Sequence, residues 1–400
     1  MSATVLVLNS GSSSIKYELV DPRGGSRLAS GLIERIGEGE ARVEHSSAGV
    51  TTDHRQTLAT HREALRAVLA LFEEHGPQLA EANVVAVGHR VVMGGEHFAG
   101  PVLIDADVIA TIDRLSPLAP LHNPANLAGI EVARELLPDI AHVAVFDTSF
   151  FHDLPKQATT YALDRHVAAR YSVRRYGFHG TSHQYVSRKA AEVLGRDPGE
   201  LKQIVLHLGN GASASAVLHG APVDTSMGLT PLEGLVMGTR TGDIDAAVVV
   251  HLSRNAGMSI DEIDDLLNKR SGMRGLTGHN DMREVHRLIA AGDGDARVAL
   301  DVYVHRLRKY VGAYAAAMGG LDALSFTAGV GENDPVVRAE TAAGLGFLGI
   351  EIDAARNSMR SDVPRLISTD AARVAVMVIP TDEALVIALE TMSLVAGAGC

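Results

Sequence analysis

The sequence predicts an α/β protein built from two similar domains. Three observations carry that expectation. Short apolar, strand-like runs alternate with amphipathic helical stretches along the whole chain. A glycine-serine turn between two such runs appears near the start and again 200 positions later, with Gly11 and Gly211, and Ser13 and Ser213, in step. The chain has 400 residues, 46% apolar and 21% charged, enough for two or three domains whose cores need no cross-links.

Val5 to Leu8 reads as a strand, and Ile15, Tyr17 and Leu19 alternate with Lys16, Glu18 and Val20 as a second strand with one buried face. Asn9-Ser10-Gly11-Ser12-Ser13-Ser14 between them is turn chemistry throughout. Thr60 with Glu63 predicts a capping box, followed by a helical stripe of Ala64, Leu65, Val68, Leu69 and Phe72. Val84 to Val87 and Val143 to Phe146 read as buried strands. Asn123 before Pro124 predicts an N-cap, and Pro138 ends that helix near Leu137. Ser259 with Glu262 repeats the capping-box pattern. A long helix is expected from about Ala296 to Met318, with Leu300, Tyr303, Val304, Leu307, Tyr310, Val311 and Tyr314 inward and Gly319-Gly320 ending it. Ile204 to Leu208, Leu324 to Phe326 and Val374 to Ile379 complete the strands, and a helix begins at Asp382.

Composition excludes several classes of function. The 36 Lys and Arg against 48 Asp and Glu leave a formal charge of −12, which argues against nucleic acid as the main partner. Cys400 is the sole cysteine, so an intrachain disulfide framework and a Cys/His zinc ribbon are both ruled out. No apolar run approaches the ~18–20 residues that span a bilayer, so no membrane association is expected. Met1 to Leu8 carries no basic segment ahead of its apolar stretch, which is not the pattern of a secretory signal, and the cytoplasm is the expected location.

The glycine turns point to phosphate. Successive backbone N–H groups in a tight turn form a positively polarised hollow for anionic oxygens, and small residues let the backbone approach closely. Ser12 adds a hydroxyl, and Lys16 adds a mobile charge. The spacing is not that of a P-loop, because the residues after Lys16 alternate like a strand instead of opening a helix. A strand–turn–strand phosphate loop present twice suggests the architecture of actin and the sugar kinases. Gly329-Val330-Gly331-Glu332-Asn333 forms a third glycine turn, either a third phosphate contact or a plain strand-to-helix connection.

The charged residues fit an anionic substrate. Arg90 ends a buried strand, and Arg240 lies in the glycine-bracketed loop Gly238 to Asp243. Arginine suits planar carboxylate and phosphate through paired donors, although a loop arginine can equally be a solvated charge. Asp147 stands at the end of a strand, where it serves either function or a local turn. His179 is one of 18 histidines and sits between glycines just ahead of a helix expected to start at Ser182. Asp382 and Glu383 offer either a metal ligand or ordinary helix N-terminal acids.

Taken together these segments resemble the acetate kinase family. Asn9 to Lys16 matches its first signature, and Asp224 to Gly234, continuing through Met237-Gly238-Thr239-Arg240, matches its second. The match is collinear and takes in Gly88 to Val92, Leu118 to Asn123, Phe146 to Thr148, Arg175 to His183, His207 to Gly211, Asp281 to Arg283, Gly329 to Asn333 and Pro380 to Glu383. The resemblance implies an α/β fold of two similar domains of the actin and sugar-kinase type with the active site in the cleft between them. The expected boundaries are 1–150, with 380–400 packing on that domain, and 151–379 as the nucleotide-binding domain. It implies reversible phosphoryl transfer from ATP to acetate, giving ADP and acetyl phosphate, with Mg²⁺ (or Mn²⁺ in its place), by a homodimer.

The resemblance also assigns roles by position. Asn9 and Glu383 serve the metal. Ser12, Lys16, His207, Leu208, Gly209, Asn210, Gly211, Asp281, Met282, Arg283, Gly329, Val330, Gly331, Glu332 and Asn333 serve the nucleotide. Arg90 binds the acetate carboxylate, His179 and Arg240 stabilise the transition state, and Asp147 is the family's acid/base residue. Val92, Leu121, Phe178 and Pro231 surround the acetate methyl. Acetate carries no proton to remove at neutral pH, since carboxyl groups titrate near about 4, so an orienting role for Asp147 is the alternative. The chain departs from the family pattern at Met93, usually His, at Ala246, often Pro, and at Ala384, often a second acid. The competing readings are a propionate or short-chain fatty acid kinase of the same fold and a non-enzymatic, actin-like ATP-binding protein.

Overall fold

The hairpin Asn9 to Lys16 lies at the centre of the first sheet. The computed structural model describes residues 2–398, so Cys400 lies outside the described residues. The chain divides into two compact units, one running to His152 and resuming at Asp382, the other spanning Asp153–Thr381.

The first unit is built on an eight-stranded sheet. Its strands are β1 (Thr4–Ser10), β2 (Ser14–Asp21), β3 (Ser26–Glu34), β4 (Glu40–Ser47), β5 (Val50–Thr57), β6 (Val84–Val91), β7 (Val102–Leu103) and β8 (Ala141–Phe146), in the order β5-β4-β3-β2-β1-β6-β8-β7. β6 runs parallel to both β1 and β8; the other pairs are antiparallel. Parallel strands are usually buried on both faces, which is why β1 reads as an unbroken apolar run. Leu6 and Leu8 join Ala64, Leu65, Val68, Leu71 and Phe72 of helix His61–His75, while Val5 and Val7 join Ile387 and Ala388 of helix Glu383–Ala398. Gly88 of β6 faces that last helix so closely that a Cβ would lie 2.6 Å from Thr391 Oγ1 and 2.8 Å from Ile387. Arg90, two residues on, shares the face.

The second unit repeats the plan. Its strands are β9 (Lys202–Leu208), β10 (Ala212–Leu218), β11 (Ala221–Thr225), β12 (Ala323–Thr327), β13 (Arg365–Leu366) and β14 (Ala375–Val378), in the order β11-β10-β9-β12-β14-β13. The run β11-β10-β9-β12-β14 has the connectivity of β3-β2-β1-β6-β8: an antiparallel meander, then two strands parallel to its first. Helix Gly180–Leu194 covers one face through Val186 and Ala190, and helix Gly294–Met318 packs on β9 and β10. The duplicated turn in the sequence is thus a duplicated hairpin.

Several local expectations need correction. Asn123 is inside its helix (Asn123–Leu136), not the cap, because its side chain is committed elsewhere: it donates to the Met93 carbonyl and accepts from the Met93 N–H. Thr60 caps its helix, but Glu63 accepts from Ala59 N–H, so the box is displaced by one residue. Leu71, not Leu69, completes the buried stripe. Glu18, expected on a solvated face, is buried and pairs with Lys16 at 2.9 Å and with Arg27. The third glycine turn is a short helix, Ala328–Asn333. The helix after His179 starts at Gly180, with His179 itself at φ 59°.

Candidate active site

The first unit gathers the residues expected at the acetate carboxylate. Arg90 Nε donates to Asp147 Oδ1 at 2.9 Å and Nη2 to Oδ2 at 2.7 Å, a two-pronged pair with the carboxylate only 1% exposed. The strands deliver it: Val91 of β6 pairs with Phe146 of β8, so Arg90 and Asp147 leave adjacent strand ends. Glu383 Oε2, in the first turn of its helix, lies 3.9 Å from Arg90 Nε. Burial works against the Arg90 charge, but Asp147 and Glu383 outweigh it and hold the guanidinium above its ordinary range. Val92 is buried with its N–H donated to Asn126 Oδ1, whose amide donates in turn to the Ser10 carbonyl. That chain ties the Arg90 strand to the Asn9–Ser14 turn. Ser12 sits exposed on the turn, and Asn9 is half-buried at the end of β1. Leu121 is exposed. Met93 and Ala384, two of the family departures, are buried core residues.

The second unit gathers the residues expected at the phosphates. Gly209 N–H donates to the Gly211 carbonyl across the second hairpin. A Cβ on Gly211 would lie 3.5 Å from the His179 ring and 3.6 Å from Arg240 Nη1, so these three residues, 61 positions apart at the extremes, meet at one spot. Arg240 Nη1 donates to the Pro231 carbonyl at 2.9 Å. Among the described residues no carboxylate opposes the pull of burial, which lowers the affinity of this guanidinium for its proton. The loop that carries Arg240 is anchored twice. Arg175 donates to Glu233 at 2.6 Å and to the Ser226 and Met227 carbonyls; Arg306 donates to the Gly234 carbonyl, and Tyr310 donates to Asp243. Phe178 is 1% exposed beside the histidine.

His179 stacks on His207 with ring centroids 4.3 Å apart. His207 Nδ1 lies 2.8 Å from Ser182 Oγ, and His179 Nδ1 lies 2.9 Å from Ser213 Oγ. A cavity of about 920 Å³ opens beside the hairpin, lined by Gly209, Asn210, Asp281, Met282, Arg283, Gly329, Val330 and Asn333. Three sequence-distant stretches expected at the nucleotide therefore share one hollow, roughly the volume a nucleotide-sized ligand needs. His207, Leu208, Gly211, Gly331 and Glu332 are not among its lining. Glu332 turns inward, accepting from the Ala328 and Thr381 N–H groups, and is an internal brace.

Sequence reading missed Asn280, His286, Tyr303 and Arg360, which also line the cavity. No motif marks them. His286 Nε2 donates to Asp334 at 2.7 Å, and that bond raises the imidazole above its ordinary value. It also missed His183, one turn into the helix that His179 caps, and the four-residue spacing of the two histidines was the available signal. Among the described residues no group of three or more His, Cys, Asp or Glu side chains could hold a metal ion.

Comparison with known proteins agrees across the chain. Residues 4–389 match the model of the acetokinase family. The chain is 58% identical to an acetate kinase of Leifsonia xyli, over 99% of this chain and 100% of that one. It is 58% identical to one of Streptomyces coelicolor, over 100% and 99%. Among solved structures, an acetate kinase of Porphyromonas gingivalis superposes with TM-score 0.92 at 43% identity, covering 98% of this chain and 100% of that one. A propionate kinase of Francisella tularensis superposes equally well, with TM-score 0.93, 41% identity and the same coverage. The fold is therefore common to enzymes named for two different acids, and the chain belongs to the acetokinase family.

Proposed function

We propose that this protein transfers the γ-phosphoryl group of ATP reversibly to acetate, giving ADP and acetyl phosphate. The observation that carries the reading is the meeting of His179, Arg240 and the Gly211 backbone, with Arg240 half-buried and paired with no carboxylate among the described residues. A buried cation without a counter-ion is costly unless an anion arrives, and a transferring phosphoryl is such an anion. Phosphoryl transfer needs positioning and charge stabilisation more than covalent help. Arg240 and His179 would supply donors to the phosphoryl oxygens, and the cavity with Asn210, Asp281 and Gly329 would hold the nucleotide.

Arg90 would receive the acetate carboxylate. The two-pronged bond that Arg90 donates to Asp147 fixes the plane of that guanidinium, which supports an orienting role for Asp147, since acetate has no proton to give up. Val92 and Phe178 are buried apolar residues next in sequence to Val91 and His179 and would border the acetate methyl with Pro231 and Leu121. One methylene in such a pocket is worth roughly 1–3 kcal/mol, so acetate is expected first and propionate second. One reaction would thus draw on both sets of residues.

Asn9 and Glu383 are oxygen donors, the type Mg²⁺ takes while keeping waters and phosphate oxygens for its remaining positions. They would hold it, and when bound it would neutralise phosphate charge. A homodimer is supported by helix Ala247–Ala256, which carries Val248, Val249, Val250 and Leu252 yet has no buried residue, and by exposed Leu163, Val167 and Tyr171 nearby in sequence to the site segments. No helix among the described residues is long and apolar enough to cross a membrane, and a cytoplasmic location is proposed.

The test is trapping of the acyl phosphate with hydroxylamine. Hydroxamate should form only when ATP, Mg²⁺ and acetate are all present. ATP hydrolysis that ignores acetate and yields no hydroxamate would instead mark an actin-like ATP-binding protein, and a higher kcat/KM for propionate would reassign the acid.

A further inference from the structure

Behind His179 runs a chain of buried groups that no step above uses. Ser213 Oγ lies 2.9 Å from His179 Nδ1 and 2.7 Å from His183 Nε2. His183 Nδ1 lies 2.8 Å from Ser215 Oγ. Ser213, His183 and Ser215 are all fully buried. Strand and helix periodicity build the row. Ser213 and Ser215 are alternate residues of β10 and share a face, and His179 and His183 are one helical turn apart.

The row has a direction. Among the described residues, the Ser215 hydroxyl has one hydrogen-bonding neighbour, His183 Nδ1. Were Nδ1 protonated, the Ser215 hydroxyl proton would be buried without an acceptor, a costly state. So Ser215 donates to His183 Nδ1, and His183 carries its proton on Nε2. That Nε2–H donates to Ser213 Oγ, and the Ser213 hydroxyl proton is left to donate to His179 Nδ1. A neutral imidazole that accepts at Nδ1 holds its proton at Nε2, the ring edge nearest to Gly211 together with Cε1. His183 stays neutral because burial pushes it well below the ordinary imidazole value, with His207 adding to the effect. His183 on its helix, His207 on β9 and Arg240 on the facing loop lie beside His179, and none of these three carries a negative charge.

We propose that Ser215, His183 and Ser213 form a one-way hydrogen-bond row that fixes His179 as a neutral Nε2–H donor aimed at the spot shared by Gly211 and Arg240. Ser213 and His183 are thereby positioning residues, and His179 stabilises charge as a hydrogen-bond donor without being a cation. The proposal rests on the reading that this spot receives the phosphoryl group, but its tautomer claim stands apart from turnover.

The experiment is ¹⁵N spectroscopy of the full chain with labelled histidines at neutral pH, the His179 ring being assigned by its loss in His179→Ala. The expected signature is the neutral Nε2–H tautomer in the parent protein and a mixture of tautomers in Ser213→Ala, with Ser213→Thr restoring the parent pattern. An imidazolium or the Nδ1–H tautomer in the parent protein overturns the proposal. Kinetics supply the second arm. Ser213→Ala should lower kcat roughly 10–100-fold, the scale lost when the outer hydrogen-bond partner of a metal-ligating imidazole is removed, with KM for acetate and ATP little changed and Ser213→Thr recovering most of it. If His179→Ala is costly while Ser213→Ala matches the parent in both spectrum and kcat, the row is wrong and the site stands. If His179→Ala turns over normally, the site reading is wrong whatever the tautomer.

Discussion

Arg90 and Arg240 are two arginines in opposite circumstances, and their substitution should separate them. Arg90 is satisfied by Asp147 through two parallel bonds. Lysine cannot reproduce that fork, so Arg90→Lys should raise the acetate KM and cut kcat/KM by roughly 10²–10³, the scale of losing one preorganised donor. Arg240 has a backbone carbonyl and a thioether for company. Arg240→Met removes a half-buried charge with no carboxylate partner and should leave Tm unchanged or higher while kcat falls by a similar factor. Thermal unfolding and steady-state rates on the same preparations check both halves; a Tm drop would mean that the guanidinium is structural. Gly211→Ala is milder in its geometry. Its methyl meets only ordinary contact distances from His179 and Arg240, so the fold should survive, yet it fills the space a phosphoryl oxygen would use. A loss of about 10²-fold in kcat with unchanged Tm is expected.

Elements carry a second kind of consequence. Helix Met282–Ala290 is joined to the start of helix Pro335–Ala343 by His286 and Asp334, whose other oxygen accepts from the Val336 and Val337 N–H groups. The bond raises the His286 value above ordinary imidazole. A raised folded-state value means that the protonated pair stabilises the fold in full below the unfolded value, about 6.5, and that this contribution is lost as pH rises through the folded value. Unfolding midpoints should therefore drop across that window in the parent protein, and His286→Gln should flatten the drop; parallel profiles would dismiss the pair as a titrating tie.

The same physics decides how much of these elements the sequence revealed. Capping at Ser259 and the apolar run of β1 were legible because local rules decide them. Asn123 and Glu18 were not. A long-range demand took over each side chain, the Met93 backbone for one and Arg27 for the other. Arg90 could be placed at a strand end from its neighbours, but its pairing with Asp147 depends on β6 lying beside β8, which no local pattern states. That Asn280 and Tyr303 line the cavity was hidden for the same reason.

At the scale of the molecule, helix Ala247–Ala256 is the feature that a lone chain leaves unexplained. Its valines are exposed, Val248 at 38% and Val250 at 46%. For the proposed homodimer, Val250→Glu should give a monomer in sedimentation without altering the secondary structure, and an unchanged sedimentation coefficient would remove this helix from the proposed interface.

The first unit is discontinuous: its sheet is made by residue 146, but the helix that covers Val5, Val7, Val143 and Val145 is Glu383–Ala398. During synthesis those side chains emerge early and wait until the residues from Glu383 onward have been made. The second unit, continuous from Asp153 to Thr381, can finish first. A nascent chain held on the ribosome therefore presents a bare valine face that the last helix alone can close, and that interval is when chaperones would find it.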